Sequence, residues 1–153
     1  MPDGPSRPPT TPCLVKISLT DGSSVDGTLW LLPDSSRSSG FSSVEALLDG
    51  ARDFLAIGLN RGGSQLVSRH AILTVELPAK GPGTNEDQGS ASLDVVTLRL
   101  DSGQEISGVL RAMAPEGSNR MSDVFNAPGR FIGIGVGDRI VLAAKRHIVR
   151  VSF

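Results

Sequence analysis

Few residues in this 153-residue chain combine the types and the spacing that catalysis requires. Ser68, His70 and Asp53 supply the residue types of a hydrolase triad, but nothing in the sequence resembles the nucleophile elbow that presents a catalytic serine. The run GIGVG from Gly133 to Gly137 superficially resembles a dinucleotide-binding loop, which needs a different spacing, a strand before it and a helix after it. The sequence therefore predicts a protein that is not an enzyme, with a small-molecule or nucleotide sensor as a distant alternative.

The sequence contains few residues that could bind a metal or take part in redox chemistry. Two histidines and a single cysteine, Cys13, cannot furnish a convincing metal site, and one cysteine cannot form an intrachain disulfide. We therefore expect no metal and no cofactor, and a reducing, cytoplasmic location. Two basic pairs remain as candidate functional residues, Arg69-His70 and Arg146-His147.

The net charge of the whole chain does not indicate a particular class of binding partner. Fifteen Lys and Arg stand against 16 Asp and Glu, so any attraction to nucleic acid must come from a local patch. The second half is the more basic, with eight basic and six acidic residues in 93–153. The N-terminal residues lack the apolar run of a signal peptide, and no stretch approaches the roughly 18 apolar residues of a membrane helix. We expect a soluble protein without membrane contact.

The chain contains an internal repeat. The segment VKISLTDGSSVDGTLWLL from Val15 aligns with VTLRLDSGQEISGVLRAM from Val96 at a constant offset of 81 positions. Two further segments align in the same order: VEALLDGARDFLAIG from Val44 with MSDVFNAPGRFIGIG from Met121, and QLVSRHAILTVEL from Gln65 with VLAAKRHIVRVSF from Val141. Three matched segments in one order predict a duplicated module.

Each half of the repeat has the pattern of a small β module. Apolar and polar residues alternate before a glycine-containing turn at Asp21-Gly22 or Ser102-Gly103, which predicts a hairpin. Gly27 and Gly108 fall inside the second strand, where glycine is typical of a bulge or a sharp bend. A bend there would help a small sheet to close on itself.

Between the second and third strands, apolar spacing predicts a short helix in each half. The helices are expected at 41–48 and 121–125, with Ser42 and Ser122 as caps. The third strands follow at 54–59 and 131–136, and the last segment of each half is long enough for two more strands. The predicted organisation is a disordered tail at 1–12, a first module at 13–78, a flexible linker at 79–92 and a second module at 93–153.

The first half resembles Hfq, the bacterial Sm-like RNA chaperone. Residues 64–75 read SQLVSRHAILTV, which is similar to the family's Ser-Gln, hydrophobic pair, basic residue, His-Ala-Ile and Thr-Val. DFLAI at 53–57 with Asn60 resembles the third strand, and residues 15–29 resemble the first hairpin. The resemblance covers most of 14–78 and extends to 95–153 through the repeat. It implies a bacterial, mainly β protein of two tandem, bent, five-stranded Sm-like barrels. The short helix predicted between strands two and three of each half departs from the family, which has a tight turn there.

The resemblance also implies a site for single-stranded RNA. In the family the basic-His pair lines a pore and holds uridine-rich RNA ends, while a phenylalanine that opens strand three stacks on a base. Carried over, the RNA-binding positions are Phe54, Gln65, Arg69 and His70 in the first half, and Phe131, Lys145, Arg146 and His147 in the second. Matching Ile72 to Ile148 sets His70 beside Arg146, so that His147 points elsewhere. The alternative interpretation is that both phenylalanines are core residues and that the basic residues form an ordinary solvated strand end.

Self-association follows from the same resemblance. Sm-like domains form rings by pairing strand four of one subunit with strand five of the next, so the two halves are expected to pair with each other and three chains to close a ring of six modules. The alternative function is a structural or scaffolding protein that self-assembles without binding RNA. The inserted helices, with Leu47, Leu48, Val124 and Phe125, belong either to the core or to a surface that docks a protein partner.

Overall fold

The computed structural model describes residues 10–35, 40–50, 52–84, 94–111 and 120–153. The first half contains β1 (Thr11–Leu19), β2 (Ser24–Leu31), helix α1 (Val44–Asp49), β3 (Phe54–Leu59), β4 (Ser64–Ser68) and β5 (Ile72–Pro78). The second half contains β6 (Val95–Leu100), β7 (Glu105–Leu110), helix α2 (Met121–Phe125), β8 (Phe131–Val136), β9 (Arg139–Ala144) and β10 (Ile148–Ser152). One 3₁₀ turn joins the last two strands of each half; Arg69–Ala71 is the first basic turn and Lys145–His147 is the second basic turn.

The ten strands of the described residues form one antiparallel sheet, in the order β10-β6-β7-β8-β9-β5-β1-β2-β3-β4. Each half therefore has its fifth strand beside its first, followed by the second, third and fourth. The halves are joined through β5 and β9, where Thr74 faces Ala143 and Val75 faces Leu142. The prediction of a mainly β chain is confirmed. The sheet is not closed into a barrel, since within the described ranges neither β4 nor β10 has a partner strand on its outer side.

The repeat is visible in equivalent hydrogen bonds of the two halves. The backbone N–H of Thr20 donates to the carbonyl of Ala71, and that of Asp101 donates to the carbonyl of His147, each at 2.8 Å. These bonds attach each basic turn to the first hairpin of its own half. Gly22 and Gly103 occupy the two hairpin turns with φ of 87° and 91°, a conformation that glycine adopts without steric cost. The duplicated sequence has thus produced duplicated local structure.

The two hydrophobic cores interlock at the junction of the halves. The core cluster of the first half includes four side chains of the second: Phe131, Ile140, Leu142 and Ala144. The cluster of the second half includes Leu73 from β5. Because each core contains side chains from the other half, burial of apolar area stabilises the two halves together.

The inserted helices pack on these cores. In α1, Val44 and Leu48 are buried, and in α2 Val124 is buried. Leu47 and Phe125 are partly buried against the same clusters, so this set of apolar residues belongs to the core. No helix of the described chain has the length and apolar character to cross a membrane.

The predicted helix caps are wrong by local geometry. Ser43 caps α1, and its hydroxyl accepts a hydrogen bond from the backbone N–H of Ala46 at 3.1 Å. Ser42 lies one residue too early for that contact. Ser122 lies inside α2, and Arg120, the residue directly before the helix, makes no side-chain cap.

The predicted tail and linker lie mainly outside the described residues, at 1–9 and 85–93. Thr11 and Pro12, which we expected in the tail, belong to β1. At the start of the predicted linker, Thr84 is buried and its hydroxyl donates to the carbonyl of Pro78 at 3.1 Å. The thiol of Cys13 donates to the carbonyl of Pro82 at 3.2 Å, and burial raises the pKa of this thiol. Pro82 therefore lies against Cys13 of β1, and Thr84 against the end of β5.

Candidate functional site

The antiparallel pairing of β5 with β9 brings the two basic turns together. The first basic turn leads into β5 and the second follows β9, so both stand at the same end of the junction. Nη1 of Arg146 lies 2.8 Å from Nδ1 of His70. A guanidinium only donates, so Nδ1 accepts and the ring proton of neutral His70 lies on Nε2, which faces Asp53 Oδ1 at 3.5 Å. Residues of both halves thus form one polar cluster.

A cleft of about 520 Å³ opens beside this cluster, within the size range of about 300–1,000 Å³ that is usual for ligand sites. Its lining comes from both halves: Arg69 and His70 from the first, and Arg130, Phe131, Ala144, Lys145 and Arg146 from the second. Four of these seven side chains are cationic. The arrangement is suited to hold an anionic ligand across the junction; we call it the junction cleft.

Arg69 places a buried positive charge at the wall of the junction cleft. The residue is only 5% exposed, and its backbone N–H donates to the carbonyl of Asp53 at 2.8 Å. Its Nη2 lies 3.7 Å from Asp53 Oδ1, an ion-pair distance that is too long for a hydrogen bond. Within the described residues, Nε and Nη1 have no hydrogen-bond partner. A buried guanidinium with so few acceptors favours the approach of a negative charge.

Lys145 occupies the repeat position of Arg69. Its Nζ donates to the carbonyl of Ala127 at 2.8 Å, which fixes the ammonium on the second half's side of the junction cleft. Burial lowers the pKa of Lys145, and the nearby carboxylates of Asp49 and Glu45 partly oppose that shift. A phosphate in the junction cleft would act on this pKa in the same direction as the carboxylates.

His147, which the resemblance carries over as an RNA-binding residue, does not line the junction cleft. Its Nδ1 lies 2.8 Å from Asp101 Oδ2, and its Nε2 lies 3.4 Å from the carbonyl oxygen of His70. The imidazole therefore connects the second basic turn to the hairpin of its own half and to the first basic turn.

The two phenylalanines that open the third strands differ in environment. Phe131 is 4% exposed and belongs to the core cluster, although it forms part of the cleft wall. Phe54 is 57% exposed and does not line the junction cleft. The core interpretation therefore applies to Phe131 and not to Phe54.

Gln65 is the other predicted residue that the structure separates from the junction cleft. It lies on the edge strand β4 and borders a different pocket, together with Asn60 and Arg61. Arg130 lines the junction cleft but was missed by sequence reasoning. The available signal was its position, directly before the phenylalanine of the third strand, but the repeat places the acidic Asp53 there in the first half.

Among the described residues no group of three His, Cys, Asp or Glu side chains is placed to hold a metal ion. No protein-family model matches the chain, and no curated protein or solved structure matches it either.

Proposed function

We propose that this protein is a non-catalytic Sm-like protein that binds single-stranded RNA in the junction cleft. The observation that carries the proposal is the convergence of four cationic side chains, from both halves, on one cleft in a chain whose formal net charge is −1. The whole chain is almost neutral, so the positive charge is concentrated locally at this cleft. Its local field favours the binding of a polyanion.

The Sm-like part of the proposal is supported by the strand order. Both halves repeat the order fifth, first, second, third and fourth, and the fifth strand of one half pairs with the fourth strand of the other. The pairing of strand four with strand five between the halves is what the sequence resemblance leads us to expect. The basic turns stand between strands four and five in both halves, where the resembled family carries its basic-His pair.

The side chains of the junction cleft divide the tasks of RNA binding. Arg146 is exposed, and its planar guanidinium can form paired hydrogen bonds to phosphate oxygens. Lys145 and Arg130 add charge, while Arg69 contributes from a buried position. The imidazole of His70, held by Arg146, offers a face on which a base can stack. Bases are free for such contacts in single strands and paired in duplexes, so single strands are the proposed ligand.

A fluorescence-anisotropy titration with short uridine-rich and adenine-rich RNA at two salt concentrations tests the proposal. Arg130, Lys145 and Arg146 are partly or fully exposed, and each is expected to neutralise one phosphate. At about 0.7 per neutralised phosphate of a single strand, the slope of log affinity against log salt should be about −2. A duplex of the same length is the control. It should bind at least about tenfold more weakly than the single strand, since its bases are paired.

Absence of single-strand binding at both salt concentrations would contradict the proposal. The alternative would then be a structural or scaffolding protein that uses the same modules without RNA. Binding that is insensitive to salt would also contradict it, because the proposed contacts are ionic.

A further inference from the structure

Helix α1 of the first half reaches the wall of the junction cleft through its last residue, Asp49. Oδ1 of Asp49 accepts a hydrogen bond at 2.7 Å from the backbone N–H of Arg130, 81 positions further along the chain. The carbonyl of Arg130 accepts a second bond, from the backbone N–H of Lys145 at 2.9 Å. The backbone of Arg130 is therefore held on one side by the inserted helix and on the other by the second basic turn.

The repeat separates these two bonds. The bond from Lys145 has an equivalent in the first half, where the backbone N–H of Arg69 donates to the carbonyl of Asp53 at 2.8 Å. The bond to Asp49 joins the two halves instead. The residue that corresponds to Asp49 is Asn126, and its Nδ2 donates to the carbonyl of Ser122 in its own helix at 2.7 Å. Asp49 thus makes a contact that its repeat equivalent does not make.

The stability of α1 does not explain a carboxylate at position 49. Asp49 ends the helix, whose last turn has no basic residue, so its charge lies at the end where the helix dipole disfavours an anion. The side chain is exposed, so it adds nothing to the core. On the opposite side, Gly129 has φ of 116°, and a Cβ atom there would lie 3.5 Å from Asp49 Oδ2. Glycine allows the chain to pass the end of α1 in a conformation that other residues rarely adopt.

The carboxylate of Asp49 also acts on the charge of the junction cleft. Burial lowers the pKa of Lys145, and the carboxylates of Asp49 and Glu45 oppose that shift. Asp49 therefore has two effects that substitution can separate: it accepts a hydrogen bond from Arg130, and it places a negative charge near Lys145.

We propose that Asp49 is a positioning residue of the junction cleft: its carboxylate holds Arg130 in place, so that the inserted helix of the first half fixes one wall of the cleft. The consequence for RNA rests on the proposed function, whereas the placement of Arg130 does not. Asp49→Asn removes the charge and keeps an acceptor oxygen, and Asp49→Ala removes both. Because the two variants have the same net charge, a difference between them reports the hydrogen bond.

Amide hydrogen exchange of ¹⁵N-labelled protein, followed by NMR without ligand, tests the placement of Arg130. In Asp49→Ala its N–H should exchange about tenfold faster than in wild type, the loss expected for one charge-assisted hydrogen bond. Asp49→Asn should stay near the wild-type rate, because the acceptor is retained. Glu45→Gln is the control, since it removes the other carboxylate near Lys145 without removing this acceptor, and it should leave the exchange rate of Arg130 unchanged.

Titration of the same variants with single-stranded RNA tests the consequence for binding. Asp49→Ala should bind RNA about tenfold more weakly than Asp49→Asn, because Arg130 is no longer held at the cleft. Asp49→Asn should bind at least as tightly as wild type, since a negative charge beside the cleft is lost.

Equal exchange rates of Arg130 in wild type and Asp49→Ala, or equal RNA affinities of the two Asp49 variants, would overturn the positioning role. A wild-type protein that binds no RNA would contradict the proposed function instead. The exchange rates would then decide by themselves whether Asp49 holds Arg130.

Discussion

Replacing Arg146 with glutamine should weaken the binding of single-stranded RNA by about 10- to 100-fold, the loss expected for one charge-assisted hydrogen bond of about 1.5–3 kcal/mol. Arg146 is exposed and contacts His70 across the junction, so the substitution removes the phosphate-binding group and the hydrogen bond that orients the imidazole. The slope of log affinity against log salt should become less negative by about 0.7. Arg146→Lys keeps the positive charge without the planar guanidinium, so its RNA affinity should lie between those of wild type and Arg146→Gln.

Arg61→Gln is the control for this substitution. Arg61 is also exposed, but it does not line the junction cleft. It follows the last residue of β3, whereas Phe54 begins that strand. The same change of charge there should leave RNA affinity within about twofold of wild type, because exposed charges separated by more than about 10 Å are largely screened at 0.1 M salt. Equal losses in both variants would mean that RNA responds to net charge and not to the junction cleft.

Replacing Gly27 with alanine should lower the free energy of unfolding by about 3 kcal/mol or more. A Cβ atom at this position would overlap the carbonyl oxygen of Gly58 and approach Ile57 Cγ2 to 2.7 Å. The obstacle is backbone, so the strands must separate, and β2 pairs with β3 through only Gly27 with Leu59 and Thr28 with Gly58. Urea unfolding measures the loss as a lower transition midpoint.

Gly58→Ala is the matched control in the same strand pair. A Cβ atom on Gly58 meets nothing closer than Trp30 Nε1 at 3.5 Å, an ordinary contact, so a change within about 1 kcal/mol is expected. The repeat predicts the same contrast in the second half, between Gly108→Ala and Gly135→Ala. Similar midpoints for Gly27→Ala and Gly58→Ala would refute the close approach of β2 and β3.

Local sequence signals predicted much of the fold because they act over short distances. The glycines of the hairpin turns, the alternating apolar residues and the repeat located the strands and both inserted helices. Gly27 was predicted to mark a bulge or a sharp bend, whereas its pairing with β1 is regular and the glycine is needed because β3 passes too close for a side chain. The cap of α1 was misplaced by one residue, since Ser42 and Ser43 have equal capping chemistry and only the helix start distinguishes them.

The parts of the candidate site that sequence could not predict depend on contacts between the halves. Phe54 and Phe131 have the same type and the same place in the repeat, yet only Phe131 is covered, because β8 lies beside the junction and β3 lies beside the outer edge. Gln65 is excluded from the junction cleft for the same reason. Arg130 joins the cleft although its equivalent is Asp53, so a motif shared by both halves could not reveal it.

The most direct test of RNA binding in the junction cleft is photo-cross-linking of wild-type protein to a short RNA that carries 4-thiouridine, followed by identification of the attached peptides by mass spectrometry. The proposed site predicts cross-links to peptides of both halves, at the first basic turn around His70 and in the segment from Arg130 to Arg146, and it predicts that Arg146→Gln reduces them. Cross-links confined to other surfaces, such as the loop around Arg61, or no cross-links at all, would contradict it.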